Sequence, residues 1–211
     1  MDFFPPHLCT VDSARGVLEN ANGRYEKRLR DLNGLYRDED AFRLLAETRG
    51  EEIAYEVTSF TPGHRVADLI MGVTKMAPGK VGDEYFMTRG HIHAQPDRPE
   101  IYFGQKGNGL MLLESPQGDV EILEISAHSI CYVPPFWIHR SVNTGAEEFV
   151  MMFAYPADAG QDYEIIAASG GMRVRVVDDG AGGWRAEDNS SYRPRTPETV
   201  RSILAKADAL A

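Results

Sequence analysis

The segment EIYFGQKGNGLMLLESPQGDVEILEI, residues 100–125, contains three short apolar stretches separated by two turn signals. The sequences Gly-Asn-Gly at residues 107–109 and Ser-Pro-Gln-Gly-Asp at residues 115–119 favour tight reversals of the chain. In the last stretch, Val120–Ile125, apolar and polar residues alternate, which is typical of a strand with one solvent-exposed face. Short strands joined by turns at this spacing predict an antiparallel sandwich or barrel.

The same rhythm extends over residues 51–178, where we predict further strands at residues 67–74, 83–88, 129–133, 148–154 and 172–177. The N-terminal part is different, because residues 38–46 begin with acids, have helical apolar spacing and are followed by Gly50. Residues 178–195 are rich in Gly and polar residues and are predicted to be a loop. Thr196 and Pro197 then begin a predicted C-terminal helix that runs to about residue 209.

These features divide the chain of 211 residues into three expected parts. A partly helical extension, residues 1–50, packs on an all-β barrel, residues 51–178, and a loop and short helix follow in residues 179–211. A chain of this length is expected to form one domain with appendages rather than two domains.

The composition excludes several classes of protein. A net charge of -10 disfavours nucleic-acid binding, although a local site can still attract a small anionic substrate. The chain has no apolar run of about eighteen residues that would predict a membrane helix. Its first residues lack the basic and apolar pattern of a signal peptide, which favours a cytoplasmic protein. Two cysteines, Cys9 and Cys131, do not form a disulfide framework.

A metal site is predicted from His91, His93, Glu100 and His139. Residues two apart on a strand face the same side, so His91 and His93 can converge on one ion. The loop of residues 94–99 can return the chain to Glu100, and the Pro-Pro turn before residue 136 can direct His139 to the same ion. Three imidazoles and a carboxylate suit Fe(II), Mn(II), Ni(II) or Zn(II), and the remaining coordination positions suggest catalysis. The other histidines, His7, His64 and His128, are interpreted as structural.

These residues also carry a family resemblance. The pattern Gly90-His91-x-His93-x6-Glu100-x6-Gly107 resembles the first motif of the cupin superfamily, and Pro134-x4-His139-x3-Asn143 resembles the second. The gap between His93 and Glu100 is longer than in the generic pattern. The longer gap is a feature that the sequence shares with the cupin-type phosphoglucose isomerases. The sequence also resembles this family in the stretches at residues 88–93, 98–102, 133–140 and 154–163.

The resemblance implies a double-stranded β-helix, the jelly-roll barrel of cupins, and a homodimeric enzyme of glycolysis and gluconeogenesis. This enzyme would interconvert glucose 6-phosphate and fructose 6-phosphate with one divalent metal per subunit, Fe(II) being favoured. Glu100 would act as the base and Tyr102 would contact a substrate oxygen. A phosphate cradle would consist of Thr74, Thr88 and the Gly90 backbone, with Arg89 beside it. The other substrate-side residues would be Tyr55, Tyr155, Gln161 and Tyr163.

Several alternatives remain open from the sequence. The chain could be a cupin enzyme of different chemistry, such as a dioxygenase or another sugar-phosphate isomerase, or a sugar-phosphate-binding cupin without activity. The hydrogen could move between C1 and C2 as a proton or as a hydride. Gln161 is a departure, because family members often have a His there that is proposed to assist ring opening, and a glutamine cannot shuttle protons at neutral pH.

Overall fold

The computed structural model describes residues 5–63, 65–66 and 68–208, and it shows an all-β jelly-roll barrel with short helices. The predicted fold class is therefore confirmed. The strands are β1 (Thr10–Asp12), β2 (Val17–Glu19), β3 (Gly23–Arg28), β4 (Ile53–Phe60), β5 (Leu69–Met76), β6 (Lys80–Val81), β7 (Glu84–Tyr85), β8 (Glu100–Lys106), β9 (Asn108–Glu114), β10 (Val120–Ser126), β11 (Ile130–Val133), β12 (Ile138–Val142), β13 (Phe149–Pro156), β14 (Val174–Asp178) and β15 (Trp184–Asp188). The helices are a 3-10 turn at Leu29–Leu32, α1 (Glu39–Arg49), α2 (Glu164–Ala168) and α3 (Pro197–Asp208).

Two antiparallel sheets form the barrel. The larger has six strands in the order β11-β8-β13-β5-β4-β3, and the smaller has the order β10-β9-β12. One cluster of buried side chains joins them, with Met76 and Met151 from the larger sheet and Met111 and Leu113 from the smaller. Burial of these faces removes apolar surface from water and is the main force that holds the two sheets together.

The segment of residues 100–125 forms the strands that its pattern predicts. Its second turn closes a true hairpin, in which Glu114 of β9 pairs with Val120 of β10. Its first turn instead carries the chain from the larger sheet to the smaller one, because β8 and β9 belong to different sheets. Gly107 makes this crossing at φ 72°, and a Cβ there would lie 2.3 Å from the Glu148 carbonyl oxygen.

Both longer helices have a capping side chain at the N-terminus, and the cap of α3 is the predicted Thr196. In α1 the Asp38 side chain accepts a hydrogen bond of 2.8 Å from the Ala41 amide. In α3 the Thr196 hydroxyl accepts one of 3.1 Å from the Thr199 amide. Such caps satisfy amides that have no partner within the helix. No helix in the part of the chain that the structure describes is long and apolar enough to cross a membrane.

Several boundaries differ from the prediction. Residues 178–195 are not only loop, because β15 pairs with β14 there. The predicted strand at residues 83–88 reduces to the two residues of β7, since the chain then leaves the ladder to approach the barrel interior. The N-terminal part is more than a helical extension, because β3 pairs with β4 as an edge strand of the larger sheet. His64, residue 67 of the predicted strand and residue 209 of the predicted helix lie outside the described residues.

The segment from residue 87 to residue 93 positions the interior site. It lies beside β12 without forming a regular strand, through isolated pairings of Met87 with Val142 and of His91 with His139. The second pairing is reciprocal, with N–H···O distances of 3.0 and 2.9 Å between the two backbones. This register brings two of the predicted ligands together before any side chain is considered.

Candidate metal centre and substrate cavity

The four predicted ligands converge inside the barrel. The ligand atoms of His91, His93, Glu100 and His139 all lie within 4.8 Å of one another. The last three side chains are almost fully buried. Glu100 is the first residue of β8 and His139 the second of β12, so opposite walls of the barrel supply the carboxylate and one imidazole.

Backbone carbonyls fix the orientation of two of the imidazoles. The Nδ1 atom of His93 lies 2.7 Å from the Arg98 carbonyl oxygen, and that of His139 lies 3.1 Å from the Trp137 carbonyl oxygen. A carbonyl can only accept, so each Nδ1 carries the hydrogen. Metal-binding histidines are commonly held in this way. The Arg98 guanidinium contacts Asp158 with both ends of its fork, at 3.1 and 2.7 Å, and so fixes the loop that carries the carbonyl.

The remaining ring nitrogens give a direct test of whether this site fits a cation. Glu100 Oε2 lies 3.2 Å from His93 Nε2 and 3.1 Å from His139 Nε2. When these imidazoles are neutral with the hydrogen on Nδ1, each Nε2 atom carries a lone pair that faces a carboxylate oxygen. His91 Nε2 is buried and has no hydrogen-bond partner among the described residues. Three nitrogen lone pairs and a carboxylate around one point are stabilised by a divalent metal ion, so the residues fit such a group.

The charges of the cluster agree with this interpretation. Burial is the main cause that lowers the pKa of His91 well below its usual value, which favours the neutral, ligating form. Burial alone would raise the pKa of Glu100, but interactions with His139 and His93 outweigh it and lower that pKa to about 2. Burial, followed by the nearby Glu100 carboxylate, raises the pKa of Tyr102 well above its usual value. The site therefore holds a permanent carboxylate beside a protonated phenol.

A cavity of about 120 Å³ opens from this cluster to solvent. It brings together most of the residues that the sequence singled out, whereas His93 belongs to the cluster but not to the cavity wall. The predicted residues in the wall are Tyr55, Thr74, Thr88, Arg89, Gly90, His91, Glu100, Tyr102, His139, Tyr155, Gln161 and Tyr163.

Gly90 and Thr88 lie where the 87–93 segment approaches β12 most closely. Gly90 has a φ of 70°, and a Cβ there would lie 2.8 Å from Arg140 Cβ and 2.9 Å from the His139 carbonyl oxygen. Only glycine fits this position without strain. The Ser141 amide donates to the Thr88 hydroxyl oxygen at 3.1 Å, which leaves the hydroxyl hydrogen free to donate elsewhere.

Aromatic rings surround the mouth of the cavity. Tyr163 lies 5.7 Å from the ring of His91 and Tyr155 lies 5.6 Å from that of His93. The Tyr163 hydroxyl donates to the side-chain oxygen of Gln161, and the Arg89 guanidinium lies 4.7 Å from the centre of the Tyr163 ring. These contacts group Arg89, Gln161 and Tyr163 at one side of the opening.

Six residues of the wall were missed by the sequence analysis, namely Tyr25, Val57, Ser59, Arg140, Ser141 and Phe153. Ser141 lies two residues after His139 on the same strand face, so strand periodicity could have identified it. Tyr25 lies on β3, and its ring packs edge-on against the ring of Tyr55 with the centroids 6.4 Å apart. No pattern in the neighbouring sequence links Tyr25 to the site. Arg140 is buried and lines the cavity from behind; burial lowers its pKa to about 10, so it stays charged at neutral pH.

The family model and the sequence relatives identify the same family. A family model described as glucose-6-phosphate isomerase matches residues 26–193. A glucose-6-phosphate isomerase of Sinorhizobium medicae is 60% identical over 200 residues, which cover 95% of this chain and 94% of that protein. One of Thermococcus litoralis is 41% identical over 193 residues, covering 92% of this chain and 100% of that protein. Among solved structures, a recombinant oxalate oxidase in complex with glycolate has a TM-score of 0.46 and 19% identity, over 75% of this chain and 67% of that chain.

Proposed function

The chain belongs to the glucose-6-phosphate isomerase family, and from this premise we propose that it interconverts glucose 6-phosphate and fructose 6-phosphate with a bound divalent metal. The observation that carries the proposal is the convergence of His91, His93, Glu100 and His139 at the base of a cavity. A ligand set that is buried on one side and open to a cavity on the other suits an ion that also contacts substrate.

Four side chains would hold the metal, with Fe(II) as the favoured ion and Mn(II), Zn(II) or Ni(II) as alternatives. When bound, such an ion supplies Lewis-acid stabilisation of negative charge on the sugar oxygens. The carbonyl contacts of His93 and His139 hold their Nε2 atoms toward the site without a change of rotamer. Little reorganisation would therefore accompany binding of the ion.

Glu100 is the proposed base for the transfer of hydrogen between C1 and C2. The reaction removes a proton from one carbon and returns it to the other, so the same carboxylate can do both. Its pKa of about 2 keeps it ionised at neutral pH. Tyr102 stays protonated beside it and would donate a hydrogen bond to a substrate oxygen as negative charge develops.

The phosphate is proposed to bind at the wall formed by Thr74, Thr88 and the Gly90 backbone. The free hydroxyl hydrogen of Thr88 and the positive φ of Gly90 support this assignment, because an oxyanion needs donors and close approach to the backbone. Arg89, which contacts no carboxylate within 4.0 Å among the described residues, would add positive charge at the opening.

The tyrosines at the mouth, Tyr55, Tyr155 and Tyr163, are proposed to bind the sugar hydroxyls together with Gln161. The contact between Gln161 and Tyr163 orients both side chains toward the opening. Gln161 would hold the ring oxygen by a hydrogen bond rather than exchange a proton with it. Ring opening would then depend on the solvent or on another group at the cavity.

We also propose a homodimer in the cytoplasm. Support for an interface comes from β11, an edge strand of the larger sheet on which Ile130 and Tyr132 are 73% and 53% exposed. Open strand edges with apolar side chains are prone to pair with another chain. Sedimentation of the chain should give twice its monomer mass, and a monomer at all concentrations would contradict the proposal.

A coupled assay tests the enzymatic proposal. Conversion of fructose 6-phosphate to glucose 6-phosphate is followed with the metal-loaded chain, with the chain after chelation, and with unphosphorylated fructose as the control substrate. We expect turnover only with the loaded chain and the phosphorylated sugar. Tight binding of the sugar phosphate without turnover by the loaded chain would instead indicate a binding protein.

A further inference from the structure

A second cavity, of about 810 Å³, lies on the outer side of β12. Its walls are the outer faces of β9 and β12 and a covering layer formed by residues 31–39, α2 and β14. Its volume falls in the range of about 300–1,000 Å³ that is usual for small-molecule sites. Neither the metal ligands nor the proposed phosphate cradle lines it.

Arg140 is the polar group buried in this cavity. The side chain is 6% exposed, and no carboxylate among the described residues lies within 4.0 Å of it. Its Nη2 donates to the Arg89 carbonyl oxygen at 2.6 Å and its Nη1 contacts the Met87 sulfur, a weak acceptor, at 2.8 Å. The Nε atom has no partner. A buried guanidinium without a counter-ion is strongly unfavourable unless another group compensates its charge.

The other charged groups of the cavity do not supply this compensation. Glu84 is fully buried, and its two oxygens accept from the Arg175 side chain and the Arg37 amide, both at 2.6 Å. The Arg37 side chain pairs outside the cavity. Asp31 and Glu39 also line the cavity, but both are exposed at its rim. Within the described ranges, the cavity therefore contains positive charge without a carboxylate partner at Arg140 and at Arg89, and of the two Arg140 is the buried one.

Tyr36 provides a second unused donor. Its ring is stacked on Phe42, and its buried hydroxyl has no acceptor among the described residues, although the Met87 backbone is close enough to interact with it. Arg140 and Tyr36 are close enough to interact electrostatically. Both residues line the cavity. A guanidinium N–H and a phenolic O–H without acceptors are satisfied by an oxyanion, which supplies both the acceptors and the negative charge.

We propose that this second cavity binds a small oxyanion, a phosphate or carboxylate group of a small molecule, through Arg140 Nε and the Tyr36 hydroxyl. Arg89, Arg140 and Tyr163 line both cavities, so the bound anion lies behind the wall of the substrate cavity. If the isomerase function proposed above holds, negative charge at this position weakens binding of the sugar phosphate and raises its KM.

The location of the anion is tested by crystallography. Crystals of the full chain are grown without sulfate or phosphate and soaked in selenate, whose selenium gives an anomalous signal. We expect a peak at hydrogen-bonding distance, about 3 Å, from Arg140 Nε and Tyr36 Oη. Selenium only in the substrate cavity or on the surface overturns the proposal. The readout does not depend on turnover, so a failed isomerase assay leaves it intact.

Calorimetry with selenate and, separately, with succinate tests the affinity and distinguishes the two anion chemistries. Tyr36→Phe keeps the stacked ring and removes one donor, and it should weaken binding of whichever anion binds by about tenfold. Arg140→Gln should abolish binding. Tyr85→Phe, at a buried tyrosine that lines neither cavity, is the matched control and should bind as the wild type does. Equal affinities for Tyr36→Phe and the wild type would mean an adventitious ion only and would reject the site.

Discussion

At the scale of single residues, Glu100 has two roles that a single substitution can separate. It is one of the four converging ligands, and it is the proposed base. Both depend on its negative charge, which interactions with His139 and His93 preserve despite complete burial. Glutamine has the same shape and an oxygen that can still ligate, but it cannot accept the proton at neutral pH.

We predict that Glu100→Gln lowers kcat by about 10²–10⁴-fold, the usual range for loss of a general base. Metal content by mass spectrometry must be measured with the rate, because loss of the ion would also abolish activity. Glu124→Gln, at an exposed position of β10, is the control and should be unchanged. A variant that retains its metal and turns over at a near-normal rate would exclude Glu100 as the base.

At the scale of elements, the 87–93 segment and β12 must lie close together for the ligands to meet. Gly90 permits this approach at a φ of 70°, with β12 atoms at 2.8 and 2.9 Å from the position of a Cβ. Gly34 also has a positive φ, 81°, but a Cβ there would have no atom within 4 Å. The two glycines therefore separate backbone strain from steric contact.

Gly34→Ala should destabilise the chain by about 1–2 kcal/mol, from backbone strain alone. Gly90→Ala should destabilise the chain by a further amount of about 1–3 kcal/mol, because the added methyl group overpacks the contact with β12. The same overpacking should weaken the affinity for the metal. Urea unfolding of both variants measures the difference. Equal losses would show that the 87–93 segment can move away from β12 without cost.

The C-terminal part is held to the barrel by Glu114 at the end of β9. This carboxylate is fully buried and accepts from Arg195 at 2.6 Å, from the Tyr192 hydroxyl at 2.9 Å and from the Arg173 amide at 2.7 Å. Removing one partner of a buried pair leaves the other charge without compensation. This anchor fastens the connection to α3 against the smaller sheet.

Glu114→Gln should therefore destabilise the chain by about 3–5 kcal/mol. Glu52→Gln breaks the solvent-exposed pair with Arg49 and should cost no more than about 1 kcal/mol. Chemical unfolding measures both variants under the same conditions. A small loss for Glu114→Gln would indicate that water replaces the carboxylate in this anchor.

At the scale of the whole molecule, a bound metal would link the two sheets, because Glu100 belongs to the larger sheet and His139 to the smaller. An ion that binds only the folded chain stabilises it by about 2.7 kcal/mol at a hundred times its Kd. For a domain of this size the melting temperature should then fall by roughly 5–10 °C when a chelator removes the ion.

Calorimetric melting before and after chelation measures this shift, and readdition of each candidate ion should restore it to a different extent. His139→Ala removes a ligand and should melt at the same temperature with and without chelator. His7→Ala, at an exposed histidine, should keep the full shift. A wild-type chain that is insensitive to chelation would argue against a metal in this site.

The sequence by itself determined the class of fold and predicted the four residues that converge inside the barrel. Strand alternation, turn residues and helix caps are local properties, so β8–β10, α1 and α3 could be predicted near their observed bounds. The His-x-His spacing and the later Glu100 and His139 also have local signals. The division into residues 1–50, 51–178 and 179–211 stays a prediction, although β3 lies in the larger sheet.

Only the tertiary structure decided which distant residues share a space. Tyr25 joins the cavity because β3 pairs with β4, and Arg140 faces Tyr36 because a covering layer closes over β12. Their partners are far away along the chain, and a local pattern carries no information on such contacts. The burial of these side chains also follows from how the sheets and the covering layer pack. This burial leaves Arg140 without a counter-ion and His91 without a hydrogen-bond partner among the described residues.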